Sequence, residues 1–162
     1  MSEDGGFAEL LAANEAYARE FRLAGLQARA ARGLAVLTCI DSRIEPLTML
    51  GLRPGDAKIL RNAGARVTDD VLDTLLVARY LLAVDRLMVI AHTDCRMVAT
   101  DASELRAEIR AAGGPDTSGV PFLTAADQES ALRADVARVQ IDGLVAGGFL
   151  YDVTTGRVTQ IC

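Results

Sequence analysis

Two short polar clusters contain the residue types that bind soft metal ions. Cys39 and Asp41 lie in the first cluster, and His92 and Cys95 lie three residues apart in the second. His92 is the one histidine of the chain. Thiolate and imidazole are ligands that borderline-soft Zn²⁺ takes in proteins, and a His-x-x-Cys spacing can close on one ion. Two thiols, one imidazole and one carboxylate together predict a zinc site.

The elements that must position these clusters are two short apolar runs. Residues 34–37 and 87–90 are four consecutive apolar residues each, and a polar cluster follows each run. Such runs suit strands that are buried on both faces of a parallel sheet. In such sheets the ligand site lies just beyond the carboxyl ends of the strands. We therefore expect the two clusters to meet at one edge of the sheet.

The rest of the chain alternates strand-like and helix-like stretches, which predicts an α/β fold with crossover helices in a single domain over residues 1–162. Helical spacing begins at Phe7 and runs towards Ala28, and we expect an N-terminal helical arm over about residues 7–30 that stops before Gly33. Thr68 is expected to cap a helix, and Thr124 with Asp127 resembles a capping box. The other predicted elements are a strand at 57–60, a helix at 102–112, and strands at 144–153 and 157–161.

Composition excludes several classes of function. The 162 residues are 51% hydrophobic with a net charge of −5, so no electrostatic footprint for nucleic acid is present. Residues 1–6 are acidic with no cationic segment, so we expect no secretory leader. No apolar run approaches the roughly 20 residues of a membrane span. We expect a cytoplasmic protein without a membrane segment. Its three cysteines cannot all pair within the chain, and Cys162 is expected to be an incidental thiol on a frayed terminus.

Each residue also has an ordinary structural interpretation. A lone histidine after a strand is often a hydrogen-bonded core residue, and a buried cysteine usually behaves as a small hydrophobe. Asp41 and Arg43 can be a turn residue and its surface ion-pair partner. The joint placement of Cys39, His92 and Cys95 favours the metal site over these alternatives.

The same residues carry a resemblance to a known family. Cys39-x-Asp41-x-Arg43 followed by His92-x-x-Cys95 resembles the signature of the β-class carbonic anhydrases. Residues 61–64, Arg-Asn-Ala-Gly, match the middle motif of that family. Chain length and the segments 67–70 and 92–95 are similar to its short prokaryotic branch.

The resemblance implies a metal site, a reaction, a fold and an assembly. It implies zinc held by Cys39, His92 and Cys95, with water or Asp41 in the fourth position, and Arg43 turning Asp41 away from the metal. It implies reversible hydration of carbon dioxide to bicarbonate, because the metal lowers the pKa of its bound water. The implied fold is a mostly parallel sheet with an antiparallel edge, flanked by helices. The implied assembly is a homodimer or higher homo-oligomer, whose N-terminal helix embraces the partner and whose substrate pocket lies at the interface.

Two residues are expected to contact the substrate. Gly64 ends the middle motif, and Arg96 stands where the family generally has glycine, directly after Cys95. Arg96 either adds a cation near the pocket mouth or simply starts the next helix with its side chain in solvent.

Two other functions stay open at this stage. One is a hydrolase of carbonyl sulfide or carbon disulfide with the same zinc ligands. The other is a non-catalytic, zinc-stabilised dimer. Asp41 and Arg43 argue against the second, because a purely structural zinc site is more often Cys₄ or Cys₃His.

Overall fold

The computed structural model describes residues 6–162 and contains a five-stranded sheet in the order β2-β1-β3-β4-β5. Its strands are β1 (Leu34–Cys39), β2 (Ala57–Asn62), β3 (Arg86–His92), β4 (Val145–Tyr151) and β5 (Val158–Gln160). The first four strands in this order pair in parallel, and β5 pairs antiparallel with β4. The predicted mostly parallel sheet with an antiparallel edge is confirmed.

The described residues contain six helices. They are α1 (Ala8–Arg19), α2 (Pro46–Met49), α3 (Asp69–Leu81), α4 (Arg96–Ala99), α5 (Ala102–Ala111) and α6 (Gln128–Arg138). Thr68 caps α3 as predicted, because its side chain accepts a hydrogen bond from the Val71 N–H.

Strand β1, an inner strand of the sheet, packs against apolar side chains on both of its faces. Ala35 and Leu37 belong to a cluster that includes residues of α3 and α6. Leu34 and Val36 point to the opposite face, where they pack with residues around α2. All six residues of β1 are buried, which confirms the prediction from its unbroken apolar run.

Strands β1 and β3 lie side by side in a register that aligns their carboxyl ends. Thr38 of β1 pairs with Ile90 of β3. Strand β1 ends one residue later at Cys39, and β3 ends two residues later at His92. The polar clusters that follow these strands therefore meet at one edge, as expected.

Three local predictions are wrong. Helix α1 ends at Arg19, well before residue 28, and none of its residues is buried in this chain. Short helices depend on packing for their stability, so the apolar pattern alone does not extend it. Asp127, and not Thr124, caps α6, because its carboxylate accepts a hydrogen bond from Ser130 N–H at 3.0 Å.

The third correction concerns the C-terminus, which is not frayed. Cys162 is half-buried, and its carbonyl accepts a 2.9 Å hydrogen bond from the N–H of Gly148 in β4. Gly148 permits this close approach, because a Cβ there would lie 2.7 Å from Cys162 Sγ.

Within residues 6–162, no helix is both long enough and apolar enough to span a membrane. Residues 1–5 lie outside the described part of the chain. The predictions that touch them, namely the absence of a leader and the extent of the single domain, stay predictions.

Candidate metal centre

The aligned strand ends bring three potential ligands together. Cys39 is the last residue of β1, His92 is the last residue of β3, and Cys95 immediately precedes α4. Their side-chain ligand atoms all lie within 4.8 Å of one another, close enough for one ion to contact all three. Each residue is 5% exposed or less. The structure thus assembles the Cys, His, Cys set that the sequence indicated.

His92 is oriented with one ring nitrogen free to act as a ligand. Its Nδ1 lies 2.8 Å from the carbonyl oxygen of Thr93, so an Nδ1–H donates there and Nε2 carries the lone pair. Within the described residues, Nε2 is the buried side-chain polar atom that has no hydrogen-bond partner. A buried acceptor without a partner is costly, and a bound metal ion would satisfy it.

The two thiols differ in their readiness to ionise. The hydrogen bond from Cys95 lowers the pKa of Cys39 well below its ordinary value, against the opposing effect of burial. The same contact and burial raise the pKa of Cys95. The neighbouring Cys39 sulfur also raises the pKa of His92. The lowered pKa favours the thiolate form of Cys39, which attracts a cation, and a soft metal would displace the proton from Cys95.

The Asp41 carboxylate lies beside this cluster and is bound by Arg43. Arg43 donates from Nε to Asp41 Oδ1 at 3.0 Å and from Nη2 to Asp41 Oδ2 at 2.8 Å. These bonds hold the pKa of the Asp41 carboxyl well below its usual range. Asp41 Oδ2 is 4.0 Å from His92 Nε2. The carboxylate is thus ionised, close to the ligands and fixed by the guanidinium.

Arg43 also reaches the second polar cluster. Its Nη1 donates to Asp94 Oδ2 at 2.8 Å, and its Nη2 donates to the Asp94 carbonyl at 3.2 Å. Asp94 adopts a left-handed backbone conformation with φ of 54°. This conformation is rare outside glycine but is tolerated by Asp, and it forms the turn between His92 and Cys95.

Two residues of the middle motif support Cys39. Arg61 donates from Nε to the Cys39 carbonyl at 2.9 Å and from Nη2 to the Asp41 carbonyl at 2.7 Å. The Gly64 N–H donates to Cys39 Sγ at 3.3 Å. Gly64 has φ of +85°, and a Cβ there would lie 3.2 Å from Met97 Cβ, so both conformation and space favour glycine.

A cavity of about 200 Å³ opens beside the ligand cluster. Apolar side chains of Ile40, Ala63 and Met97 line it together with Asp41 and the ligands. Arg96 lies at this cavity and also begins α4. Its side chain is 61% exposed and forms an ion pair with Glu108 of α5. Arg96 therefore lies at the cavity and also starts the next helix, and the Glu108 carboxylate partly neutralises its charge.

Sequence reasoning missed the roles of Asp94 and Arg61. Both residues stand inside the recognised motifs, so the signal was present in their charge and position. What each one binds depends on contacts between strands, which spacing along the chain does not reveal.

The comparisons with known proteins agree with this geometry. The carbonic anhydrase family profile matches residues 34–114, half of the chain. The chain is 29% identical over 160 residues to β-carbonic anhydrase 1 of Mycobacterium tuberculosis, covering 94% of this chain and 96% of that protein. It resembles the crystal structure of carbonic anhydrase from Streptococcus mutans with a TM-score of 0.89 and 34% identity, covering 96% of this chain and 97% of that one. A carbon disulfide hydrolase of Saccharolobus solfataricus is 40% identical over 74 residues, which are 46% of this chain and 36% of that protein.

The fold and the site define an α/β protein with a candidate metal centre at the carboxyl ends of two parallel strands. Together with the profile match and the nearly full-length structural likeness, they show that the chain belongs to the β-carbonic anhydrase family.

Proposed function

We propose that this protein binds Zn²⁺ through Cys39, His92 and Cys95 and catalyses the reversible hydration of carbon dioxide to bicarbonate. The observation that carries the proposal is the buried Cys, His, Cys cluster next to an Asp41 carboxylate that Arg43 holds in place. The donor set fits zinc, since two sulfurs and one imidazole nitrogen leave a fourth position open. When bound, Zn²⁺ would lower the pKa of a coordinated water and so supply a nucleophile near neutral pH.

Asp41 and Arg43 have the roles of catalytic residues in this proposal. The Asp41 carboxylate accepts a hydrogen bond from the attacking oxygen and so fixes the direction of its lone pair. Arg43 keeps that carboxylate turned towards itself and ionised, which leaves the fourth position open. If this grip were lost, Asp41 itself would be free to become the fourth ligand and close the site.

The remaining residues would admit the substrate and release the proton. Carbon dioxide is small and apolar, which suits the cavity lined by Ile40, Ala63 and Met97. His92 is the one histidine of the chain and its ring is committed to the cluster. The proton therefore leaves through water, a carboxylate or external buffer.

We propose different roles for the two residues expected to contact substrate. Arg96 lies at the cavity, where its cation would favour bicarbonate and other small anions. The N–H of Gly64 is directed to Cys39 Sγ. Gly64 is therefore proposed to support the sulfur ligand in place of contacting the substrate.

Hydrolysis of carbon disulfide is the second candidate. The carbon disulfide hydrolase of Saccharolobus solfataricus has a higher identity to this chain than β-carbonic anhydrase 1 of Mycobacterium tuberculosis, although over a shorter match. The nearly full-length similarity to carbonic anhydrases favours carbon dioxide. The test measures carbon dioxide hydration by stopped flow and hydrogen sulfide release from carbon disulfide and carbonyl sulfide with one zinc-loaded preparation. We expect hydration to exceed sulfide release by far. Faster sulfide release would reverse the assignment.

We also propose a homodimer in the cytoplasm. The apolar side chains of α1 and of the segment after it are exposed in the single chain, among them Phe7, Leu11, Tyr17 and Phe21. A second copy would cover them. A zinc site with two thiolates requires reduced cysteines, which the cytoplasm maintains. Light scattering of the intact protein and of a Leu11→Asp variant tests the assembly, and we expect the variant to dissociate at concentrations where the wild type is dimeric.

A further inference from the structure

Helix α6 is hydrogen-bonded to the end of strand β3, which carries His92, and to the loop that follows β2. At its first residue, Gln128 donates from Nε2 to the backbone carbonyl of His92 at 2.9 Å. Two turns later, Asp135 accepts from Arg66, with Nε to Oδ2 at 2.5 Å and Nη2 to Oδ1 at 3.3 Å. Gln128, Asp135 and Arg66 lie outside the ligand cluster and outside the Asp41–Arg43 pair.

The ion pair reaches Cys39 through the loop after β2. The Asn62 side chain accepts from the Arg66 N–H at 2.8 Å and donates to the Arg66 carbonyl at 2.7 Å, which closes residues 62–66 into a tight turn. Gly64 lies inside this turn, and its N–H donates to Cys39 Sγ. The residue whose guanidinium binds Asp135 therefore also closes, through its backbone, the turn that delivers a hydrogen bond to a proposed sulfur ligand.

This contact is built into the interior and has few ways to relax. The Asp135 side chain is 5% exposed and that of Arg66 is 17% exposed. Arg66 Nη1 donates in addition to the Leu123 carbonyl at 2.9 Å, which ties the loop before α6 to the same guanidinium. A buried ion pair with these extra hydrogen bonds is strongly directional.

The two contacts act from one face of α6. Gln128 and Asp135 are seven residues apart, which places them on the same side of the helix. The residues between them on this face, Ala131 and Leu132, line a cavity of only about 10 Å³ against Gly64 and Ala91. A close-packed contact of this kind transmits a shift of the helix to the end of the strand that it packs against.

We propose that Gln128 and the Arg66–Asp135 pair are positioning residues of the metal centre, and that α6 sets the spacing between the Cys39 and His92 ligands. The inference rests on the proposed metal binding but makes no use of the reaction. It assigns to a distant helix the support that metal ligands commonly receive from hydrogen-bonded neighbours.

The test uses cobalt as the probe, because Co²⁺ in a thiolate site has visible absorption that depends on ligand geometry. Gln128→Met removes one donor while keeping side-chain length, and Gln128→Lys keeps a donor. The double variant Arg66→Met/Asp135→Leu removes the pair without leaving an unpaired buried charge. Glu129→Gln is the matched control, since Glu129 lies on the same helix and forms an exposed pair with Arg133.

The measurements are Co²⁺ and Zn²⁺ affinity by chelator competition, the visible spectrum of the Co²⁺ protein, and thermal unfolding. We expect Gln128→Met and the double variant to bind metal about 10- to 100-fold more weakly with shifted absorption bands. Gln128→Lys should recover most of the affinity, and Glu129→Gln should match the wild type. If the double variant does not fold, the metal affinities and Co²⁺ spectra of Gln128→Met and Gln128→Lys test the proposal without it.

Unchanged affinity and spectrum in folded Gln128→Met overturn the proposal, even if its unfolding temperature falls, because α6 would then be merely structural. This outcome is separable from failure of the proposed function. A protein that binds metal normally but does not hydrate carbon dioxide fails the functional proposal, while its affinities still decide the role of α6.

Discussion

Arg43 and Asp94 are joined by a 2.8 Å hydrogen bond that links the two polar clusters of the chain. Arg43 follows β1 and Asp94 follows β3, and the same guanidinium binds the Asp41 carboxylate on its other side. The orientation of Asp41 therefore depends on a residue that the neighbouring strand supplies. Side chains from two loops thus form one hydrogen-bonded group beside the proposed zinc ligands.

Replacing Arg43 by alanine should leave zinc bound and decrease carbon dioxide hydration by about 100-fold, since Asp41 loses its fixed orientation. Arg43→Lys should restore little, because an ammonium group cannot bind a carboxylate through two parallel hydrogen bonds. Asp94→Asn is the milder comparison, as it leaves the bonds to Asp41 in place. Zinc content and stopped-flow rates are measured on the same preparations. A wild-type rate in Arg43→Ala would show that Asp41 and Arg43 form an ordinary surface ion pair with no role in the reaction.

Replacing His92 by alanine should abolish stoichiometric zinc binding, because the chain has no other imidazole. Cys39→Ala and Cys95→Ala should have the same effect. Cys162→Ala is the matched control, since that cysteine lies outside the cluster and should keep the full metal content of about one zinc per chain. Metal analysis after gel filtration provides the measurement. Full occupancy in His92→Ala would disprove the ligand assignment.

Zinc uptake should release protons in an amount that depends on pH. Near pH 8 we expect fewer protons to be released per zinc than the two that a pair of protonated thiols would give, because the pKa of Cys39 is lowered while that of Cys95 is raised. Near pH 6 the number should rise, since the raised pKa of His92 leaves part of its imidazole protonated in the metal-free protein. Zinc affinity should fall over the same range as pH decreases. Indicator titration of metal-free protein checks both, and a release that does not change with pH contradicts this ionisation scheme.

The ion pair between Arg96 and Glu108 should control inhibition by anions. Glu108→Gln leaves the Arg96 cation uncompensated near the cavity, so bicarbonate and azide should inhibit about 3- to 10-fold more strongly. Arg96→Gly should weaken inhibition, and the Glu108 change should have no effect in that background. Glu129→Gln removes a carboxylate from a comparable exposed pair and serves as the control. Equal inhibition constants in the wild type, Glu108→Gln, Arg96→Gly and the double variant would leave Arg96 with only its role at the start of α4.

The strands and the ligand cluster were predictable because local pattern and general topology agree there. Unbroken apolar runs specify strands buried on both faces, and parallel neighbours necessarily bring Cys39 and His92 to one edge. The family resemblance implied that Arg43 binds Asp41, and the structure contains the hydrogen bonds between them.

Features that depend on distant contacts were not predictable. The apolar spacing of α1 continues past Arg19, yet no residue of that helix is buried in this chain, so no core contact extends it. Cys162 is anchored by a pairing with β4 that its terminal position does not suggest. Arg66 and Asp135 are separated by 69 residues, and no local motif marks either one as half of a buried pair.

The most direct test of the central claim is stopped-flow hydration of carbon dioxide through a cycle of metal removal and return. The purified protein is assayed as zinc-loaded, after chelation, and after addition of one equivalent of Zn²⁺, with Asp41→Asn treated identically. The account predicts rapid hydration that is lost with the metal and restored by zinc in the wild type. It predicts that Asp41→Asn takes up zinc but stays about 100-fold slower. Hydration that persists without metal, or a zinc-replete wild type no faster than buffer, would contradict it.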